Sequence, residues 1–397
     1  MVTAEGRAMS NRSAETTSHI RDTAIRLLVR DGHSNLTMDS LAAGSYVSVG
    51  SVYARWPNRT GLFMDLIETC IVPAIDEIAR AEDGLRGRLA AAMRPGRTAM
   101  AIGALTEIAL ASTHIEEIQP KINETAVKFV ESMSPGANPG ISWLLASSVI
   151  GWSVLNGGGC GIPDFADELS DLVHSMCSTD LHAVASRQTP VLCEPPVPTS
   201  PLVKADDDIA RSLVRETTKS LAESGLNGST TKNIAARAGV TTGAMYRRYT
   251  SKMDLVHDSL VRELSPPRYE WTAAFLSAFA GNSEQSPGEI LSQQVLRLVS
   301  DRYRSVSDLQ IIHAARLDDH LRTTLNTQLH SAAKARSTMF GQLRDAGVVS
   351  TTVSTELVGW LIQCAPTGAR VLSTLGLIPL PDDLRHGMES LISAVTS

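Results

Sequence analysis

A chain of 397 residues with a formal net charge of −6, 43% hydrophobic and 20% charged, has the composition of a water-soluble globular protein long enough for two or more domains. The acidic balance argues against a general polyanion binder, no apolar run reaches the roughly 18 residues that span a bilayer, and the polar N-terminus has no signal-peptide core. Cys70, Cys160, Cys177, Cys193 and Cys364 are scattered, odd in number and form no C-x-x-C pair, which suits a reduced, cytoplasmic protein without disulfides, zinc or cofactor.

In chain order, residues 1–16 read as a flexible tail. Ile20, Ala24, Leu27 and Leu28 then recur at helical spacing and stop at Gly32. Thr37 and Ser48 are suited to N-cap two short helices, and a longer helix is expected from about Gly61 to Ala81. These elements define a small domain over 17–63, followed by helices over 64–186. An apolar stretch, Ile141 to Leu155, meets a Gly/Pro break and then an amphipathic helix with Leu169, Leu172, Val173 and Met176 on one face. The segment 187–207 holds five prolines, which forbids helix and favours an extended linker. Beyond it the same order returns: a small domain over 208–256, with Thr230 and Thr241 as caps, then helices over 257–397. Nothing alternates with period two, so the expected class is all-α.

The second half is in fact a copy of the first. With Tyr53 placed on Tyr246, Thr37, Leu41, Ala42, Val47, Gly50, Arg55, Trp56, Arg59 and Leu62 fall without a gap on Thr230, Ile234, Ala235, Val240, Gly243, Arg248, Tyr249, Lys252 and Leu255. Each copy is locally basic on an otherwise acidic chain. Six arginines stand against four acids between Ser10 and Thr60, and eight Lys/Arg against four acids between Asp208 and Val256. Basic heads on acidic bodies fit a protein that meets phosphates at two places.

The stretch "IAARAGVTTGAMYRRY", from Ile234, has the layout of a helix-turn-helix. A support helix ends at Gly239, Val240 points inward, Thr241 caps a second helix, and small residues let that helix approach a groove closely. Tyr246, Arg247 and Arg248 follow with a hydroxyl and two cations. The pattern resembles the DNA-binding domain of the tetracycline-repressor (TetR) family, on Ile234, Ala235, Ala238, Gly239, Val240, Gly243, Tyr246, Tyr249, Lys252 and Leu255. The first copy departs from it at the turn, where Tyr46 replaces the glycine.

The resemblance implies DNA contacts from Thr37, Ser48, Val49, Ser51, Tyr53, Arg55 and Arg59 in the first head. In the second head it implies them from Thr231, Thr241, Thr242, Ala244, Tyr246, Arg247, Arg248 and Lys252. It also implies C-terminal helical bundles that dimerise and hold a hydrophobic small-molecule inducer. Met133, Trp143, Trp152, Trp271, Phe275, Tyr303, His313 and Trp360 are candidate lining residues, and the same residues serve equally as plain core. Two such subunits in one chain can form the dimer internally, as a pseudo-dimer on a pseudo-palindromic operator. The expected function is thus a ligand-responsive transcriptional regulator of repressor type, and not an enzyme, since no nucleophile or paired-carboxylate spacing stands out. The alternative is a ligand-sequestering or partner-binding helical protein with degraded heads, for which Tyr46 is the best support.

Overall fold

The computed structural model describes residues 4–133, 138–178, 207–264, 270–279, 282–350 and 352–396. The linker expected over 187–207 lies outside the described residues except for Asp207, which N-caps the helix that follows it. The described residues are helices and connections with no strand.

The first half runs α1 (Ala4–Asp31), α2 (Met38–Gly44), α3 (Val49–Tyr53), α4 (Arg59–Leu66), α5 (Val72–Ala79), α6 (Gly84–Met93), α7 (Arg97–Ala111), α8 (Gln119–Ser132), α9 (Pro139–Gly157) and α10 (Ala166–Ser178). The second runs α11 (Asp208–Gly228), α12 (Thr231–Arg237), α13 (Thr242–Tyr246), α14 (Lys252–Leu264), α15 (Glu270–Phe279), α16 (Pro287–Ser300), α17 (Arg302–Ala314), α18 (Asp319–Asp345), α19 (Thr355–Thr374) and α20 (Pro381–Thr396). The expected long helix after Gly61 is α4 and α5, joined by a π-turn at Ile67–Ile71. Within the segment expected as a tail over 1–16, α1 is helical from Ala4; the segment is rich in Ala, Glu, Arg and Met and has no proline to stop a helix.

The halves are joined by their last two helices. α9 packs along α19, and α10 and α20 flank that pair. The approach is backbone to backbone. A Cβ on Gly151 would lie 1.8 Å from the Cys364 carbonyl oxygen, and one on Gly368 would lie 1.9 Å from that of Ser147. Each glycine thus faces the carbonyl one turn before the other glycine, which is the reciprocal contact of a local two-fold axis. In that register Trp143 also matches Trp360. Trp143 ties the interface further, donating from Nε1 to the Leu377 carbonyl across the halves at 3.1 Å. One continuous apolar core therefore runs through both halves and includes the first small domain, whereas the second small domain keeps a separate core of its own.

Candidate nucleic-acid interface and effector cavity

The two small domains are built by the same local rules. Thr37 Oγ1 accepts from the Ser40 amide and Ser40 Oγ from the Thr37 amide, a reciprocal cap on α2. Thr230 Oγ1 accepts from the Asn233 amide at the start of α12. Ser48 and Thr241 cap α3 and α13 through the amides of Ser51 and Ala244, each at 3.1 Å. The turns are also alike. Tyr46 and Gly239 donate to Ala43 and Ala236, and Val47 and Val240 donate to Ala42 and Ala235. Gly239 has φ 70°, and Tyr46 adopts the same left-handed region at φ 55°. Tyr46 therefore keeps the turn at a cost in backbone strain rather than distorting it. Beneath the turns, Leu41, Val52 and Trp56 are buried in the first domain, and Ile234, Met245 and Tyr249 in the second.

The outer faces carry most of the residues the sequence singles out. Thr37, Ser48, Val49, Tyr53, Thr241, Thr242, Tyr246 and Arg247 are exposed. Ser51, Thr231 and Ala244 are half-buried beside them, with Thr231 Oγ1 3.3 Å from the Tyr246 hydroxyl. The remaining cations are engaged within the chain. Arg55 donates to Thr17 Oγ1 and to the Ser51 carbonyl; Arg248 pairs with Asp207 and donates to the Ala244 carbonyl. The Arg248 guanidinium holds the Asp207 carboxyl below its usual range. Arg59 Nη1 donates to the His33 carbonyl at 3.2 Å, and Lys252 Nζ to the Leu226 carbonyl at 2.7 Å. These are matching positions in the two copies, and burial lowers the pKa of both cations. They close the end of each domain's first helix, a role the sequence does not announce.

A cavity of about 660 Å³ lies among α16 to α20 of the second half, with Leu144 and Leu155 of α9 on its wall. Among the described side chains, none of the candidate lining residues reaches it. Met133 and Phe275 are packed in the core, and Trp143 sits in the interface between halves. Trp152 donates to the Pro163 carbonyl, Trp360 packs edge-on against His330, and Tyr303 is exposed with its hydroxyl on Glu223. The side chain of Trp271 lies outside the described residues. Aromatic bulk was the sequence signal for a lining, but Phe340 is the one aromatic of the described wall, which is otherwise aliphatic and polar.

His313 belongs to a different buried cluster. Glu107 of α7 lies 3.0 Å from His33 Nδ1, 3.3 Å from His313 Nδ1 and 2.9 Å from Arg316 Nη2. Arg316 also donates to the Leu28 and Val29 carbonyls at the end of α1. The cluster fastens the first domain to both bodies. Arg316 holds the Glu107 carboxyl well below its usual pKa against the opposing effect of burial, and burial brings His33 down to about 4. Two histidines and a carboxylate are a metal-ligand set, but the Arg316 guanidinium already balances the carboxylate, so a dication there would face a buried cation. A lone glutamate in the apolar run of α7 was the only sequence hint of this cluster. On the other side, Gln310 of α17 accepts from the Leu226 amide beside Gly225, where His114 also packs.

The sequence matches the bacterial regulatory proteins of the tetR family, at their N-terminal domain, over residues 20–66 and again over 213–258. No curated protein matches the chain. Among solved structures it is similar to a protein from Rhodococcus sp. described as a TetR-family transcriptional regulator, at 17% identity and a TM-score of 0.37, covering 48% of this chain and 98% of that one.

Proposed function

The chain carries two TetR-family DNA-binding domains in tandem, and from that premise we propose that it is a two-headed transcriptional regulator whose operator has two non-identical half-sites. The observation that carries this reading is that both heads keep the complete cap, turn and cap geometry while their exposed faces differ. A degraded head would have no reason to retain a strained turn and two caps, which argues against the sequestering alternative. The reciprocal α9–α19 contact supplies the pseudo-dimer that a palindrome reader otherwise forms from two chains, so the half-site centres lie about one helical turn or a small multiple apart.

Control by a small molecule of the second half's cavity fits the same layout. α17 supplies Asp308 and Ile312 to the cavity wall, and through Gln310 it reaches the second head. Its last turn presents His313 to the first head. A ligand that shifts α17 therefore bears on both heads at once, with a coupling of roughly 1–3 kcal/mol expected. Footprinting on the DNA upstream of the coding sequence tests the core of the proposal. Protection of two unlike half-sites is expected; a perfectly symmetric site, lost equally on mutation of Tyr53 or Tyr246, overturns it.

A further inference from the structure

We propose that Asp207, where the linker ends and α11 begins, restrains the second head by competing with DNA phosphates for Arg248, an inference that rests on reading that head as DNA-binding. The two heads allow a like-for-like comparison. Arg55 and Arg248 stand at matching positions just after α3 and α13, and each folds back along its helix. Arg55 Nη1 donates to the Ser51 carbonyl at 2.8 Å, and Arg248 Nη1 to the Ala244 carbonyl at 3.1 Å. Both guanidiniums therefore lie beside the helix that a helix-turn-helix sets in the groove. They differ in what accepts from Nε. In the first head it is Thr17 Oγ1 at 2.8 Å, a neutral acceptor that does not offset the charge of Arg55. In the second head the residue matching Thr17 is Ala210, whose side chain has no acceptor. Asp207, one turn earlier, supplies a carboxylate instead, accepting from Arg248 Nε at 2.9 Å and also from Nη2.

The carboxylate is the more exposed partner of this pair, 47% against 21% for Arg248. A DNA strand therefore meets a neutral pair with its negative end outward, where the first head presents a cation. A phosphate that takes Arg248 must displace Asp207 or bear its repulsion. The negative charge exceeds what the fold requires of this residue. Asp207 Oδ1 also caps α11, accepting from the Ala210 amide at 2.7 Å, but a neutral oxygen caps as well. Ser48, Thr230 and Thr241 do so elsewhere in the heads.

Asp207→Asn keeps the cap and removes the charge. Fluorescence anisotropy of the full chain with a mixed-sequence duplex of about 30 base pairs, over about 50 to 200 mM salt, reads phosphate contacts without needing the operator. Asp207→Asn is expected to bind about threefold more tightly or better at the low-salt end and to steepen the salt slope by about one unit. Asp207→Ser, a second neutral cap, should do the same, with the melting temperature followed in both. Thr17→Asp, which hands Arg55 a carboxylate, should weaken binding, and Thr17→Asn serves as its uncharged control. Unchanged binding by both neutral caps overturns the proposal. Weaker binding by both also overturns it, and makes Asp207 a residue that positions Arg248 for DNA. Arg247→Ala in the same titration separates this from the underlying reading. If it weakens binding while the Asp207 variants change nothing, the second head meets DNA and only the restraint fails. If none of them moves the binding, the reading of that head falls as well.

Discussion

The two heads share a fold and differ in how they are held and in what they present. The first is part of the main apolar core and is fastened to both bodies by the buried cluster around Glu107. The second has a core of its own, formed by residues such as Leu213, Ile234, Met245 and Tyr249, and meets α17 through Gln310. The faces differ too. Lys232 and Arg247 of the second head stand where the first has Asp39 and Ala54, so at these two positions the second head is more positive by three units of net charge. Caps, turn and core were retained after duplication because each is needed to fold. The outer positions carry no such constraint, and there the copies parted. The second head is accordingly the more basic and the more independent.

The largest test removes the platform the comparison depends on. A side chain at Gly151 has nowhere to go, since even its Cβ would meet the Cys364 carbonyl at 1.8 Å. Gly151→Leu should cost about 3 kcal/mol or more and remove binding by both heads together. Gly50→Ala, at an exposed site on α3 with only a side-chain oxygen at 4.0 Å, should leave the fold intact. If Gly151→Leu melted like the parent chain and still protected both half-sites, the halves would not depend on this contact.

Acid should separate the heads next. Burial brings His33 from 6.5 down to about 4, so between those values the unfolded chain binds a proton that the folded chain resists. Stability from this group is therefore fully present above about pH 6.5 and is lost as pH falls towards 4, a change of about 3 kcal/mol. The second head has Leu226 at the matching position, so the contribution of this histidine is absent there. Denaturant melts at pH 7 and pH 4.5 should show a smaller loss for His33→Leu than for the parent. Parallel losses in the two proteins would assign the acid sensitivity to other groups.

The charge difference predicts a smaller, salt-dependent effect. Arg247→Ala should lower the slope of binding affinity against salt by about one unit, and Ala54→Arg should raise it by a similar amount. Lys252→Ala should instead lower thermal stability, because its Nζ is spent on the Leu226 carbonyl. A drop in salt slope for Lys252→Ala without loss of stability would return that lysine to the phosphates.

The sequence made the heads legible because their elements are short-range: a cap and its amide lie three residues apart, and the turn is set by one left-handed position. Thr37, Ser48, Thr230 and Thr241 could thus be assigned by spacing alone. The reciprocal glycine contact could not, because Gly151 and Gly368 gain meaning only when two distant helices meet. The cavity wall was not legible for a related reason. Its wall includes Arg336, Gln363 and Arg370, whose buried placement contradicts their ordinary surface preference, whereas Phe275, Trp143 and Trp360 are packed elsewhere. Arg59 and Arg248 were read as charges for DNA, and only their neighbours reveal the carbonyls and carboxylate that engage them.

The smallest predicted effect concerns the one residue that separates the two turns. Tyr46 is the only non-glycine at positive φ among the described residues, and its side chain is 93% exposed. The left-handed conformation costs a residue with a Cβ about 1–2 kcal/mol. Replacing Tyr46 with glycine removes that cost and forfeits little packing, but the unfolded chain gains freedom worth about 0.4–1 kcal/mol. Tyr46→Gly should therefore stabilise the protein by only about 0.5 kcal/mol, with Gly239→Tyr destabilising it by a similar amount. The pair of substitutions exchanges the turn chemistry of the heads and leaves every cap in place. If Tyr46→Gly destabilised the chain by more than about 1 kcal/mol, the ring would hold a packing contact in solution and the equivalence of the two turns would fail.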